Sequence, residues 1–168
     1  KYKDLIKTVP LNYYYFNYNN NGSADAKGIE FFWRDKKTFK NFDYWISYSY
    51  LDTKRDYLDY PGTITPNFAS KNTVSVVAKR FITDWKTGFN LTYTYASGRP
   101  YYDFMINSSG KYYTADQGYT KDYNSLNFSM EYVPSIGKKN AKTFVVLFAS
   151  MSNVLGYNAV YGYNYSFN

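Results

Sequence analysis

The chain contains no cysteine and no histidine. The first absence excludes disulfides, thiolate metal sites and a cysteine nucleophile. The second excludes imidazole ligands and a Ser-His-Asp triad. Long apolar runs are also absent: the longest mainly apolar stretch, 144–151, has eight residues, whereas a membrane-spanning helix needs about 20. If this chain lies in a membrane, it therefore crosses as a β-barrel.

Aliphatic residues are scarce as well. Val, Ile and Leu together number 24 among 168 residues, fewer than the 39 aromatic residues, of which 23 are tyrosine. Ordinary cores are built mainly from aliphatic side chains, and tyrosine is intermediate in burial. Disordered segments are poor in aromatics, and the aromatics here recur with a regular period. The composition therefore argues against disorder and against an ordinary aliphatic core.

Apolar and polar residues alternate strictly along the stretch 89–96, FNLTYTYA. A period of two indicates a strand with one apolar and one polar face. Similar patterns predict about eight strands and no helix, so the predicted fold class is all-β and antiparallel. The predicted strands are 11–18, which is closed by an Asn-rich turn at 19–23, then 26–35, 42–51, 72–81, 86–97, 123–132, 143–153 and 159–168.

The connections between these segments alternate in length. Residues 36–41, 82–86 and 134–142 are short, whereas 52–71 and 98–122 are long and rich in Tyr, Gly, Pro and Asp. The long loops should therefore share one end of the sheet, as in outer-membrane barrels. Much of the net charge of +7 lies at the short-turn end, which suits a rim facing anionic headgroups and equally suits ordinary solubilising lysine. The charges there are Lys36, Lys37, Lys40, Lys79, Arg80, Lys86, Lys138, Lys139 and Lys142 against Asp35 and Asp84.

The polar faces favour a membrane barrel over a soluble sheet. They are mostly Ser, Thr and Asn, whereas a solvent-exposed face would carry more Lys and Glu. The opposite faces carry tyrosine near strand ends, as an aromatic girdle at a membrane interface requires. In this interpretation Phe89, Leu91, Tyr93 and Tyr95 face lipid. Tyrosine-rich strands also occur in soluble carbohydrate-binding sandwiches and in adhesins, so those alternatives stay open.

The residues predicted to face inward are small. An eight-stranded barrel has an interior just filled by side chains, and these residues would leave it unfilled. We therefore expect a wide barrel, filled by water or by another piece of protein. The predicted lumen-facing residues are Glu30, Asp43, Ser47, Ser49, Thr92, Thr94, Asn127 and Glu131.

Five stretches carry a family resemblance: AKGIEFFWRDKK (26–37), WISYSYLDTKRDY (45–57), NFASKNTVSVVAKRF (67–81), LTYTYASGRPYYD (91–103) and FASMSNVLGYNAVYGYNYS (148–166). In their order and spacing they resemble the C-terminal barrel region of TonB-dependent outer-membrane receptors, particularly the Bacteroidota type. No single stretch is diagnostic. Together they cover most of residues 10–168.

The resemblance implies a barrel of about 22 strands, plugged by an N-terminal domain, in the outer membrane of a Gram-negative bacterium. It implies active uptake of a scarce nutrient such as a siderophore, cobalamin, a glycan or a peptide. The implied partners are outer-membrane lipid, the rest of the receptor including the plug, the TonB complex through the receptor's N-terminal region, and a surface lipoprotein. We expect residues 1–168 to be a C-terminal barrel segment of about seven or eight strands, without the plug and the final strand.

Planar tyrosines with Asp and Arg in the long loops suit stacking and hydrogen bonding to sugars or peptides, and equally suit loops packing on one another. Gly98-Arg99-Pro100 marks the predicted exit of a strand toward the extracellular mouth. The predicted substrate-binding residues are Arg55, Tyr57, Tyr60, Arg99, Tyr101, Tyr102, Asp103, Tyr112, Tyr113 and Asp116.

The inward carboxylates lie on different strands, and no pairing for acid–base work can be inferred. We therefore predict no enzyme activity, no catalytic residue, no metal site and no cofactor. The lysines gather at turns while the aromatics lie along strands, which argues against nucleic-acid binding. Two other functions stay open: a self-contained small outer-membrane barrel with a structural or adhesive role, and a soluble Tyr-rich carbohydrate-binding β-sandwich.

Overall fold

A computed structural model of the protein describes residues 2–8, 18–138 and 142–163. No helix within these residues is long and apolar enough to cross a membrane. The described residues contain ten β-strands. They are β1 (Tyr2–Thr8), β2 (Tyr18–Asp35), β3 (Phe42–Asp56), β4 (Thr63–Ile64), β5 (Asn72–Ile82), β6 (Thr87–Ala96), β7 (Pro100–Ile106), β8 (Tyr112–Tyr119), β9 (Tyr123–Tyr132) and β10 (Leu147–Met151).

Eight of these strands form one antiparallel sheet, in the order β1-β2-β3-β5-β6-β9-β10, with β4 paired to the end of β3. Strands β7 and β8 form a separate hairpin. The connections 36–41 and 83–86 lie at one end of the sheet, with the described residues 133–138 and 142–146 of a third, and 57–71 and 97–122 lie at the other end. The predicted all-β antiparallel class is thus confirmed. Over the described residues the sheet is open, with β1 and β10 at its two edges.

The strand register carries each predicted face across the whole sheet. Residues directly opposite each other in an antiparallel ladder point to the same side. Ile46 lies opposite Val76, which lies opposite Tyr93, which lies opposite Leu126. One residue along, the row is Ser47, Ser75, Thr94 and Ser125. We call the sides that contain these two rows the aromatic face and the polar face.

The described part of the chain has almost no side-chain core. Its buried apolar residues are few, and no large side chain among them is fully buried. On the aromatic face Ile29 is 70% exposed, Phe31 55% and Leu91 43%. The sheet is therefore a single layer held by its backbone ladder, and nothing in the described residues covers its apolar side.

Strand boundaries match the prediction in the middle of the chain, but three expectations were wrong. Residues 19–23 do not form a turn: they lie inside β2, where Gly22 is so close to β1 that an added Cβ would be 2.7 Å from the Leu5 carbonyl oxygen. Pairing with β1 thus overrides the turn propensity of the Asn-rich run. The predicted strand 11–18 falls outside the described residues except for its last position.

The second error concerns residues 98–122, which were expected to be a loop and instead contain the β7–β8 hairpin. The third concerns the predicted strand 159–168. Its described part, 159–163, is not a strand. Its tyrosine rings pack instead on Tyr101 of the hairpin, on Arg99 and on Tyr123 of β9. Residues 164–168 lie outside the described part. Strands β2 and β3 are also longer than predicted, so the first long loop shortens to 57–71.

Gly98 allows the chain to leave the sheet. Strand β6 ends at Ala96, and the Gly98 amide then donates to Asp122 Oδ1 at 2.9 Å. The next residue is clamped on both sides: the Arg99 amide donates to Thr120 Oγ1 and the Thr120 amide to the Arg99 carbonyl, both at 2.9 Å. A Cβ at position 98 would be 2.0 Å from the Thr120 carbonyl oxygen. Only glycine fits this approach of two backbones.

We therefore expect Gly98→Ala to destabilise the fold by about 1–3 kcal/mol, the usual range for overpacking. Gly62→Ala is the matched control, because its new Cβ would meet only the Tyr60 ring at 3.9 Å. Thermal unfolding in detergent micelles, followed by circular dichroism, measures both. Equal midpoints for the two variants would contradict the close approach at position 98.

Candidate functional site

The two long connections pack on each other beyond the end of the sheet. The Tyr60 hydroxyl lies 2.9 Å from Thr114 Oγ1, and the Tyr102 hydroxyl donates to the Thr65 carbonyl at 2.9 Å. Phe104 contacts both tyrosine rings at 5.6 Å between centroids and is only 8% exposed. We call Tyr60, Tyr102 and Phe104 with their two threonine partners the loop cluster. It is a small core that joins loop 57–71 to the hairpin.

The surroundings of Tyr57 and Tyr102 at this end disfavour ionisation of their phenols. Burial raises the pKa of the Tyr57 phenol, and burial together with neighbouring phenols raises the pKa of Tyr102. A backbone bond also ties the two loops, since the Tyr112 amide donates to the Asp59 carbonyl at 2.9 Å. At neutral pH these tyrosines are therefore hydrogen-bonding hydroxyl groups and not anions.

The segment after β10 packs on the outside of the hairpin. The guanidinium of Arg99 stacks on Tyr161 at 5.1 Å, and the rings of Tyr101 and Tyr163 meet edge to face at 4.9 Å. Asn153 and Tyr157 exchange two hydrogen bonds of 3.1 Å between the asparagine side chain and the tyrosine backbone. This Asn153–Tyr157 clasp turns the chain out of the sheet toward the hairpin.

The polar face forms a recess near the short-turn end, with a volume of about 570 Å³. At one wall Arg34 and Asp43 form a two-pronged ion pair, with nitrogen–oxygen distances of 2.8 and 2.5 Å. Trp45 lies between two cations, 5.1 Å from Arg34 and 5.2 Å from Lys79. Glu131, Ser129 and Asn90 line the other side. The lining of the recess thus carries charges of both signs, including Lys79, Asp43 and Glu131. Arg34 and Trp45 lie beside it, as the partners of Asp43 and Lys79.

One polar atom in this recess has no partner. The side-chain oxygen of Asn90 is buried and unbonded within the described residues, while its Nδ2 donates to Ser129 Oγ at 3.4 Å. Most buried polar atoms in proteins are hydrogen-bonded. This acceptor is therefore available to a group that enters the recess.

The comparison with protein-family models decides the family. The model described as TonB dependent receptor-like, beta-barrel, matches residues 1–154, which is most of the chain. The chain belongs to this family. Comparisons with curated proteins and with solved structures gave no match.

Membership places the chain among outer-membrane receptors and transporters, a family that is not enzymatic. In intact receptors of this family the barrel associates with a plug domain and with TonB. Within the described residues, no group of three or more carboxylate side chains could hold a metal ion. The β-barrel family and the all-β antiparallel sheet agree with each other.

The structure brings the predicted lumen-facing residues onto one side of the sheet. Register places all eight on the polar face, with Glu30 opposite Ser49, Thr92 opposite Asn127, and Asp43 and Glu131 at the recess. Their shared face was predicted correctly from the period of two. Their contact with a receptor lumen stays a prediction.

The predicted substrate residues divide into two groups. Five of them make contacts within the protein. Tyr60 and Tyr102 belong to the loop cluster, Arg99 and Tyr101 contact the segment after β10, and Arg55 contacts β1. The Arg55 guanidinium donates to the Ile6 carbonyl of β1 and lies 5.9 Å from the Tyr57 ring. Tyr57 itself is half-buried.

The other predicted residues lie on the outer part of the hairpin. Tyr113 is 43% exposed, its hydroxyl contacts only Met105 Sδ at 3.6 Å, and Tyr112 is half-buried. Asp103 lies directly opposite Asp116 across the two strands, and Asp116 accepts from the Gln117 amide at 2.8 Å. By register Tyr113 lies on the side of the hairpin away from Phe104, as do Asp103 and Asp116, so a ligand can reach these three. Tyr112 lies on the side of Phe104, because neighbouring residues of a strand point to opposite faces.

Sequence reasoning missed several residues that shape this end of the molecule. Phe104 is the centre of the loop cluster, Tyr163 packs on Tyr101 of the hairpin, and Tyr119 is 70% exposed on it. Tyr161 contacts Arg99 and the Tyr123 ring of β9. A signal was present: the four residues Asn107–Gly110, with Gly110 at a φ of 74°, separate two runs rich in tyrosine. A short Gly-containing loop between two such runs is typical of a β-hairpin.

Phe104→Ala should loosen the hairpin from loop 57–71, at a cost of about 3–5 kcal/mol for a buried phenylalanine. Hydrogen exchange of the amides in 112–119 measures the loss of protection. Ile106→Ala is the control, because Ile106 lies on the same strand but is 60% exposed, and its change should stay within about 0.5 kcal/mol. Equal protection in both variants would mean that the loop cluster does not hold the hairpin.

Proposed function

We propose that this chain forms part of a wide, plugged outer-membrane barrel that takes up a scarce nutrient by TonB-dependent active transport. The observation that carries the proposal is the exposed aromatic face of a continuous antiparallel sheet. The resemblance of five stretches to Bacteroidota receptors supports that type within the family. Candidate nutrients are siderophores, cobalamin, glycans and peptides.

Lipid is the solvent that suits the aromatic face. Apolar surface gains about 25 cal/mol for each Å² removed from water, and residues such as Ile29 and Phe31 are more than half exposed. In the described residues the strands form one layer, and the β7–β8 hairpin packs beyond the end of the sheet. No second layer there covers the aromatic face, which disfavours the soluble carbohydrate-binding sandwich.

A wide barrel suits the polar face. Its central row is Ser47, Ser75, Thr94 and Ser125. These side chains are too small to fill an eight-stranded interior. The recess, with Asp43, Lys79, Glu131 and the unbonded Asn90 oxygen in its lining, offers a polar surface for a folded plug. We therefore propose that residues 1–168 are a C-terminal segment of an about 22-stranded barrel. This argues against the self-contained small barrel.

The long-loop end is the proposed substrate mouth. Tyr113, Asp103 and Asp116 on the hairpin offer an aromatic ring and acceptors to a ligand, while the loop cluster fixes their position. Aromatic faces with nearby hydrogen-bonding groups suit sugars and peptides. The proposed partners are outer-membrane lipid, the plug, the TonB complex through the receptor's N-terminal region, and a surface lipoprotein at the mouth.

Single cysteines test the orientation of the faces, since the natural chain has none. In outer membranes, Thr92→Cys should react with a water-soluble maleimide and Leu91→Cys should not, because lipid excludes the reagent. Asn127→Cys and Phe128→Cys repeat the comparison on β9, which pairs with β6. Labelling is measured by mass spectrometry.

Labelling after denaturation controls for the reactivity of each cysteine, and all four variants should then react alike. Reaction at positions 91 and 128 but not at 92 and 127 would overturn the proposed orientation. Reaction at all four positions in native membranes would indicate a water-exposed sheet and remove the membrane proposal.

The intact mass of the natural polypeptide tests the proposed barrel size. We expect a denatured mass several times 19.7 kDa, because the plug and the remaining strands belong to the same receptor. The measurement is mass spectrometry of an outer-membrane extract, with peptides from 89–104 used to identify the protein. A mass near 19.7 kDa would overturn the uptake proposal and leave only a small barrel.

A further inference from the structure

Aromatic rings form a belt on the aromatic face at its short-turn end. Trp33 meets Tyr44 edge to face at 5.3 Å, and Tyr44 lies 5.2 Å from Phe42 and 6.2 Å from Phe39. Across the sheet, Trp85 in the next short turn lies 6.3 Å from Phe89. Aromatic rings of this kind sit at the headgroup level of membranes. The belt therefore indicates where the boundary between the hydrocarbon core and the headgroups of a bilayer would lie.

Five cations lie just beyond this belt. All five are exposed. None of them has an ion-pair partner within 4 Å among the described residues, because the two ion pairs there involve Lys7 and Arg34. We call them the basic rim: Lys37, Lys40, Arg80, Lys138 and Lys142.

The carboxylates of this end leave the basic rim largely unopposed. Asp35 closes the 36–41 turn by accepting from the amides of Lys37 at 2.7 Å and Thr38 at 3.0 Å and from the Thr38 hydroxyl. Asp43 is paired with Arg34 on the polar face. The other carboxylates of this end are Asp84, in the turn that holds Trp85, and Glu131, on the polar face at the recess. The basic rim thus exposes more cations than uncompensated carboxylates to the surface that contacts the belt.

The opposite end of the sheet has no such excess. The long connections and their margins carry six charges of each sign: Lys54, Arg55, Lys71, Arg99, Lys111 and Lys121 against Asp52, Asp56, Asp59, Asp103, Asp116 and Asp122. The asymmetry means that the two membrane surfaces would meet different charge patterns. Only the short-turn end is complementary to an anionic surface.

We propose that the basic rim binds the anionic headgroups of the membrane leaflet at the short-turn end, such as those of phosphatidylglycerol. This inference rests on the proposed membrane function. The belt positions the rim at headgroup depth, and exposed Lys and Arg at that depth attract anionic lipid. The rim therefore selects which phospholipids surround this part of the barrel and resists displacement of the strands along the membrane normal.

Tryptophan quenching by brominated phospholipids tests the proposal. Trp33 is the reporter, and its signal is the difference between the natural polypeptide and a Trp33→Phe variant. Its ring connects through Tyr44 to Phe39, which lies between Lys37 and Lys40. The natural polypeptide that contains this chain is reconstituted in equimolar bilayers of phosphatidylcholine and phosphatidylglycerol, with bromine on one lipid or on the other. At low salt we expect phosphatidylglycerol to quench more strongly, by about twofold or more.

The double variant Lys37→Gln/Lys40→Gln should reduce this ratio to near one. Lys111→Gln/Lys121→Gln is the matched control: it removes the same charge from two exposed lysines at the other end and should keep the preference. High salt should weaken the preference in the unchanged rim, because exposed charges are screened.

The possible results distinguish the proposal for the basic rim from the proposed membrane function. Quenching by both lipids equally would overturn the rim proposal and leave the membrane function intact. An equal loss of preference in the two double variants would mean that net charge acts alone, and would also overturn the rim. Quenching by neither lipid would overturn the membrane function and the rim together. Equal quenching of both variants in bilayers of brominated phosphatidylcholine alone verifies that each is inserted alike.

Discussion

The backbone hydrogen-bond ladder is the interaction on which this structure depends. From β2 to β9 the strands pair without a register shift, and almost no side chains are buried between layers. A single-layer sheet cannot gain much from side-chain packing, so its stability depends on the solvents that contact its two faces. A nonaqueous solvent on one side makes the ladder stronger, because unpaired backbone groups there cost several kcal/mol each.

The two ends of the sheet differ in how their connections are stabilised. At the short turns the chain reverses with few residues, and rings and cations gather at one height. At the long connections the chain builds a small core of its own around Phe104, independent of the sheet faces. The short-turn end therefore has rings and cations that face outward, whereas the long-loop end is stabilised by packing within the chain.

The faces of the sheet were predictable from sequence because a strand has a strict period of two, and one residue of slip would reverse every side chain. Ile46 and Ser47 illustrate this: alternation alone assigned each to its face, and the rows across four strands agree. Local pattern failed where distant partners decide. The Asn-rich run at 19–23 is extended because β1 lies beside it, and residues 159–163 pack on the hairpin, on Arg99 and on β9 instead of following their own alternation.

The β7–β8 hairpin interrupts the chain between two strands that pair with each other directly. Strands β6 and β9 are in register from end to end, so the whole insertion between them is exchangeable without changing the ladder. Its core, however, includes Tyr60 of the preceding loop. The two connections are therefore expected to diverge as a unit among relatives. An engineer who grafts a new hairpin onto this scaffold must transplant loop 57–71 with it.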